Sequence, residues 1–180
     1  MKVTIENGKI KVESAYNKEW VKRAKELGGR WNAPCWVLPE ENEELVREAL
    51  MNIYGEDGRP VEMVTVDIAF GTDENFHDDI VVAGKTIARR RYRDSNVMFE
   101  NGAVLVSGGF DERGGSAKYP MIGTPHENTV IRISVPKNML DKINRPYTVT
   151  ASAKVNKAAL EAEKAALLKR LQEIENLLNA

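Results

Sequence analysis

The sequence predicts an α+β protein with three parts: a small N-terminal ββαβα domain, an antiparallel β barrel or sandwich, and a C-terminal coiled-coil helix. Three observations support this prediction. Helical and alternating apolar patterns are mixed in residues 1–55, short alternating runs broken by Gly, Pro and Asn fill residues 61–150, and a Leu-rich heptad pattern covers residues 156–180. The turn-rich segment Glu56-Asp57-Gly58-Arg59-Pro60 is the expected boundary between the first two domains.

The first domain is expected to begin with a hairpin, because two alternating runs flank Asn7-Gly8, a dipeptide well suited to a type I′ turn. Asn17 is a suitable N-cap for the helix that follows, and Gly28-Gly29 would end that helix. Residues 30–38 indicate a bent strand or a tight hairpin. A second amphipathic helix is expected over residues 41–54, with acidic residues in its first turn.

The middle domain is predicted to be all β. Its expected strands cover residues 61–70, 80–83, 86–93, 97–99, 103–106 and 129–135. The runs on either side of Asn101-Gly102 are expected to pair as a second hairpin. Short strands at this spacing favour an antiparallel barrel or sandwich.

The last segment predicts self-association. Five apolar residues alternate by fours and threes at the a and d positions of a heptad, namely Leu160, Leu167, Leu171, Ile174 and Leu178. An isolated helix of this length would be only marginally stable in water, so we expect a homo-oligomer formed through these residues. The alternative is a helix that covers the barrel of its own chain.

Composition limits the classes of partner. The chain has 26 Lys and Arg against 27 Asp and Glu, so its net charge of −1 offers little attraction to a polyanion, although a local basic pocket is compatible with it. Cys35 is the only cysteine, which argues against a disulfide framework and favours a cytoplasmic location. No run of about eighteen apolar residues occurs, so no membrane partner is expected.

Residues 87–118 combine arginines, aromatic residues and a glycine-rich loop. Guanidinium groups bind phosphate, aromatic faces stack on bases, and glycines allow backbone N–H groups to approach oxygen. If residues 87–93 form a strand, alternation places Arg89, Arg91 and Arg93 on one face. The candidate ligand-binding residues are Arg89, Arg91, Arg93, Arg113 and Lys118 for phosphates, and Phe110 and Tyr119 for a base or ribose.

A plainer interpretation stays open for the same residues. The arginines could form a salt-bridged surface with Asp94, Glu100, Asp111 and Glu112, and the glycines could only permit turns. Neither a P-loop, a nucleophile elbow nor a zinc-ligand pattern is present, so we expect a binding protein without enzymatic activity and without a cofactor. His77-Asp78-Asp79 is not expected to bind a metal, because adjacent residues in an extended chain point to opposite sides.

The first third of the chain resembles the HARP-type module found beside annealing helicases. The residues concerned are Tyr16, Gly28-Gly29-Arg30-Trp31, Trp36-Val37-Leu38-Pro39 and Ile53-Tyr54-Gly55, with a helix after the first and third groups. The resemblance implies contact with forked or single-stranded DNA. Trp20, Trp31 and Trp36 are nevertheless expected chiefly to pack the core of a small domain. DNA contact would require exposed aromatic residues with cationic neighbours such as Arg30.

The middle domain is similar to phage anti-defence proteins that inhibit Thoeris systems. The similarity runs from Val82-Ala83-Gly84-Lys85 to Val135-Pro136, and includes Gly-Gly-Phe before Gly-Gly-Ser. It implies an oligomeric sponge that sequesters a cyclic nucleotide or cyclic ADP-ribose signal without cleaving it, and this is the first functional hypothesis. The alternatives are a nucleic-acid-binding accessory protein for single strands or forks, and a protein that binds and inhibits a bacterial defence enzyme.

Overall fold

The computed structural model describes residues 1–152 of the 180-residue chain. The heptad residues Leu160, Leu167, Leu171, Ile174 and Leu178 lie outside the described residues, and so does the helix expected over residues 156–180. The described part is rich in antiparallel strands and contains two α-helices. It forms two sets of elements that meet at residues 56–60, where the sequence predicted a boundary.

The first domain has the order ββαββα. Its elements are β1 (Lys2–Glu6), β2 (Lys9–Glu13), α1 (Lys18–Glu26), β3 (Arg30–Asn32), β4 (Cys35–Pro39) and α2 (Glu43–Tyr54), the last preceded by a 3₁₀ turn over Glu40–Asn42. The four strands form one antiparallel sheet in the order β1-β2-β4-β3. The predicted ββαβα order is wrong by one strand, because residues 30–39 form the tight hairpin rather than a single bent strand.

Local signals at the start of this domain are confirmed. Asn7 and Gly8 have φ values of 53° and 73°, as the turn between β1 and β2 requires. Asn17 caps α1, since its Oδ1 accepts hydrogen bonds from the backbone N–H groups of Glu19 at 2.8 Å and Trp20 at 3.1 Å. The cap therefore fixes where the chain leaves the sheet and where the helix begins.

Both helices bury their apolar faces against the sheet. The fully or nearly buried residues of this core are Ile10, Val12, Trp20, Ala24, Leu27, Trp36, Leu38, Val46, Ala49, Leu50, Ile53 and Tyr54. Apart from Tyr54, the helix residues of this set lie on the apolar faces expected from a period of 3.6 residues.

The second domain contains seven strands in two sheets. They are β5 (Met63–Phe70), β6 (Ile80–Val82), β7 (Lys85–Arg89), β8 (Met98–Phe99), β9 (Val104–Ser107), β10 (Thr129–Pro136) and β11 (Tyr147–Ser152). One sheet has the order β11-β5-β10-β9 and the other β6-β7-β8, and every pairing is antiparallel. The sheets are open, so the barrel, one of the two predicted architectures, does not form in the described residues.

The two sheets share a single core, as in a sandwich. Residues Val64, Val66, Ile68, Ile131 and Ile133 enter it from the four-stranded sheet, and Ile80, Val82, Ile87 and Ala88 enter from the three-stranded sheet. On the outer face of the larger sheet, Arg132 lies opposite Asp67 and donates two hydrogen bonds of 2.7 Å to its carboxylate. This bond holds the pKa of Asp67 below its usual value.

The turn at Asn101-Gly102 is confirmed, but the hairpin expected around it is wrong. Both residues have positive φ, at 54° and 79°. The strands on either side belong to different sheets, since β8 pairs with β7 whereas β9 pairs with β10. The turn thus carries the chain from one sheet to the other. Strand β11 was not predicted, although Tyr147-Thr148-Val149-Thr150 has the β-branched composition typical of a strand.

The domains touch at the β6–β7 turn. A Cβ atom on Gly84 would lie 2.2 Å from the carbonyl oxygen of Ile53 at the end of α2. The side chain of Asn17 donates from Nδ2 to the Gly84 carbonyl at 2.8 Å. Lys85 forms an ion pair of 2.6 Å with Glu56. Gly84 is therefore a contact point that only a residue without a side chain can occupy.

We predict that Gly84→Ala destabilises the protein more than Gly102→Ala. Both glycines have similar positive φ values, but a Cβ on Gly102 would meet nothing within 4 Å. Gly102→Ala should cost about 1 kcal/mol from backbone strain alone. Gly84→Ala should cost at least about 2 kcal/mol more because of the overlap with Ile53. Urea denaturation of both variants measures the difference, and equal losses would contradict a packed junction.

We also predict that stability falls at high pH through Tyr54. Its buried hydroxyl donates to the Ala15 carbonyl at 2.6 Å, and burial raises the pKa of Tyr54 to about 12, with a smaller contribution from Glu56. The unfolded chain loses this proton near pH 10, two units before the folded one. The free energy of unfolding should therefore fall between about pH 10 and pH 12, by up to about 2 to 3 kcal/mol.

Tyr54→Phe removes the titrating group and supplies the comparison. The variant loses one hydrogen bond at neutral pH, at a cost of about 1 kcal/mol. Its stability should decline less steeply than that of the wild type between pH 10 and pH 12. If the free energies of unfolding of the two proteins fell equally between pH 10 and pH 12, a buried neutral Tyr54 would be excluded.

Candidate functional site

The arginine-rich segment is not the strand that the sequence predicted. Strand β7 ends at Arg89, and the following residues form a turn in which the Ser95 backbone N–H donates to the Tyr92 carbonyl at 3.0 Å. The predicted alternation of Arg89, Arg91 and Arg93 on one strand face is therefore wrong. The physical reason is that the side chain between the first two is drawn inward, as described below for Arg90.

Arg89 is engaged by carboxylates of its own domain. Its Nη2 donates to Asp79 at 2.8 Å, and its Nη1 lies 3.7 Å from Glu100. The hydrogen bond to Asp79 is the main reason that the pKa of Arg89 is raised above its usual value. Glu100 was one of the counter-charges proposed from the sequence, whereas Asp79 was not.

The other predicted arginines lie at the surface. Arg93 and Arg113 both approach Asp94, at 3.7 Å and 3.3 Å. Arg91 is exposed and forms no ion pair within residues 1–152. These ion pairs follow the salt-bridged interpretation, and the guanidinium groups do not converge on one cavity in the described part of the chain.

Phe110 is a core residue, so the expectation that it stacks on a ligand is wrong. It is 8% exposed and packs at 6.3 Å, edge to face, on Phe70 and at 6.4 Å on Phe99. Tyr119 is 67% exposed, and the Lys118 ammonium lies 5.2 Å from the centre of its ring. These last two residues are accessible, but they project from the surface beside one another.

The glycine-rich loop is held close to neighbouring backbone. A Cβ on Gly108 would lie 2.4 Å from Thr129 Oγ1, and a Cβ on Gly114 would lie 2.2 Å from the Met121 carbonyl. Gly114 N–H donates to the carbonyl of Arg93, and Met121 N–H donates to that of Gly114. The glycines thus serve close packing of the loops.

Arg90 has the structural role that no sequence signal revealed. It is 5% exposed, and its guanidinium donates to four backbone carbonyls. The acceptors are Glu112 at 2.9 Å, Ile122 at 3.0 Å, Ser95 and Asp111. Its Nε has no partner within the described residues. Arg90 therefore holds three separate loops against the end of β7. Its sequence neighbours Arg89 and Arg91 are the same residue type but do not have this role.

An aromatic cleft opens on the first domain. It has a volume of about 370 Å³ and is lined by Ser14, Ala15, Tyr16, Asn17, Trp20, Val21, Trp31 and Trp36. Trp20 and Trp36 are buried, as expected of packing residues. Trp31 is 56% exposed and Tyr16 is 60% exposed, so the packing expectation is wrong for Trp31.

The sheet explains why Trp31 is exposed. Trp31 and Trp36 are paired across β3 and β4, so their side chains lie on the same face, with ring centres 5.7 Å apart and planes at 61°. β3 is the edge strand, and Trp31 therefore extends past the margin of the core. Arg30, its neighbour in sequence, is also exposed. Trp20 Nε1 has no acceptor among residues 1–152.

A second cavity, the interdomain cavity, lies beside the aromatic cleft. It has a volume of about 490 Å³ and is lined by Tyr16, Asn17, Lys18, Glu19, His77, Asp78, Asp79, Val81, Thr86, Arg90, Pro120 and Ile122. Tyr16 and Asn17 line both spaces. None of the seven side chains predicted as ligand contacts lines it.

Two further observations concern residues 1–152. They contain no cluster of three or more His, Cys, Asp or Glu arranged to hold a metal ion, so His77, Asp78 and Asp79 do not form one. The helices of this part are too short or too polar to span a bilayer.

Comparison with protein-family models, with curated proteins and with solved structures gave no match. The two family resemblances stated from the sequence stay predictions.

We predict that Arg90→Met destabilises the second domain by about 3 kcal/mol or more, because four buried or partly buried backbone carbonyls lose their charged donor. Arg91→Met is the matched control. Arg91 is exposed and unpaired in the described part, so its loss should change the free energy of unfolding by less than about 0.5 kcal/mol. Equal stabilities in chemical denaturation would show that the Arg90 contacts are dispensable.

Proposed function

We propose that the first domain binds single-stranded nucleic acid through the aromatic cleft. The observation that supports this proposal most directly is the exposure of Tyr16 and Trp31, each by more than half, in one cleft. Large aromatic rings of a small domain are normally buried, and their exposure in one cleft gives bases a stacking surface.

Stacking suits the charge of this protein. Each base stacked on an aromatic ring contributes about 1 to 3 kcal/mol and does so for any sequence. The chain has a net charge of −1, so counterion release from a broad basic face is not the expected source of affinity. Binding should depend more on the rings than on salt.

The cleft has the size of a small-ligand site. Trp20 lines it and is 1% exposed, so its indole supplies a packed wall rather than an open polar contact. The cleft volume of about 370 Å³ falls in the range of small-ligand sites, so a base can enter it rather than lie across a flat surface.

Two other hypotheses stay predictions. Capture of a small anionic nucleotide has less support from two of its proposed residues, because Arg89 is paired with Asp79 and Phe110 is buried. Inhibition of a defence enzyme by direct binding has no contact surface assigned to it. Calorimetric titration with cyclic di- and trinucleotides, cyclic ADP-ribose isomers and ATP tests the nucleotide-capture hypothesis.

We predict that Trp31→Ala weakens binding of a fluorescently labelled oligo-dT of about twelve nucleotides by roughly tenfold. The variant removes a stacking surface at an edge strand, so the fold should persist. Tyr119→Ala is the control. Tyr119 is similarly exposed, at 67%, but belongs to the second domain. Fluorescence anisotropy titrations give both affinities.

The same titrations can contradict the proposal in three ways. An equal loss in Tyr119→Ala would move the site to the second domain. Failure of the wild type to bind any oligonucleotide, at either about 50 mM or about 200 mM salt, would remove the nucleic-acid function. A steep fall with salt combined with no effect of Trp31→Ala would replace stacking with general charge attraction.

A further inference from the structure

The interdomain cavity begins where the aromatic cleft ends. Tyr16 and Asn17 line both, and Asn17 is held by its bonds to the start of α1 and to Gly84. A strand stacked on Trp31 and Tyr16 would therefore pass the mouth of the cavity. We propose that the interdomain cavity receives one base of that strand and selects guanine. This inference rests on the proposed function.

The cavity presents hydrogen-bonding groups that the protein itself does not use. The carboxylates of Glu19 and Asp78 form no hydrogen bond or ion pair within the described residues, whereas Asp79 is engaged with Arg89. Arg90 also lines the cavity, is 5% exposed, and has an Nε–H without a partner. Unpaired carboxylate acceptors thus border this space.

These charges disfavour a phosphate and favour a neutral heterocycle. Three acidic side chains and two basic ones line the cavity, and the guanidinium of Arg90 is already surrounded by carbonyl oxygens. A phosphate beside Glu19 and Asp78 would meet like charge. A base has no charge, and the ring of Tyr16 with the apolar Val81 and Ile122 offers contact for its faces.

Guanine matches this set of groups better than the other bases. Its Watson–Crick edge has two adjacent donors, N1–H and the N2 amino group, which one carboxylate can accept together. Adenine and cytosine place an acceptor nitrogen beside their amino group, and thymine places a carbonyl on each side of its single N–H. A carboxylate would face these acceptors unfavourably.

The size of the cavity agrees with a single nucleoside. Its volume of about 490 Å³ is larger than that of the aromatic cleft and lies within the range of small-ligand sites. Inserting one base while its neighbours stack outside costs little in a single strand, because no base pair has to be broken. The strand thus needs no distortion beyond the turning out of one nucleotide.

The test compares oligo-dT with the same oligonucleotide carrying one central dG, using full-length protein. Wild type should bind the dG oligonucleotide roughly tenfold more tightly. Asp78→Asn and Glu19→Gln each keep the side-chain shape and replace an acceptor with a donor. At least one should abolish the preference and leave oligo-dT affinity unchanged. Asp141→Asn, an exposed acid outside the cavity, should retain the preference.

A second arm titrates free guanosine, which carries no phosphate, by calorimetry. Binding of guanosine that the Asp78 or Glu19 variant abolishes supports the cavity site. Oligonucleotide binding that depends on Trp31 but shows no dG preference would overturn the guanine inference and leave the proposed function standing. Guanosine binding without any oligonucleotide binding would overturn the proposed function and support the cavity as a guanine site. A preference retained in both variants would also overturn the inference.

Discussion

The junction formed by Asn17 and Gly84 is the constraint on which the arrangement of both candidate sites depends. The side-chain oxygen of Asn17 caps helix α1 of the first domain. Its side-chain nitrogen donates to the carbonyl of Gly84 in the second domain. Gly84 permits this because a larger residue would overlap the end of α2. The aromatic cleft and the interdomain cavity lie on either side of this contact, so their relative position is set by one residue of each domain.

Most of the first domain followed from local sequence signals. Asn7-Gly8 and Asn17 act through bonds within a few residues, and the helical stripes report directly which face is buried. The second domain was harder because sheet membership depends on distant pairing. Asn101-Gly102 has the dihedral angles of a hairpin turn, yet the strands beside it find partners in different sheets. Neighbouring sequence does not encode that choice.

The candidate site was predicted poorly for a related reason. Strand alternation grouped Arg89, Arg91 and Arg93 and set Arg90 apart, but the structure separates all four: Arg90 holds loops, Arg89 and Arg93 meet carboxylates, and Arg91 faces solvent. Trp31 and Trp36 are likewise similar residues in one hairpin. Only the position of β3 at the sheet edge exposes the first of them. Exposure at a sheet edge is a property of the assembled domain.

The way Arg90 is satisfied has a consequence for how freely the loops can evolve. All four of its acceptors are main-chain carbonyls, which every amino acid possesses. The contact itself places no demand on the identity of the side chains at Ser95, Asp111, Glu112 or Ile122. Substitutions at Ile122, which also lines the interdomain cavity, can therefore change which molecules the cavity admits while the contact of its carbonyl with Arg90 stays in place.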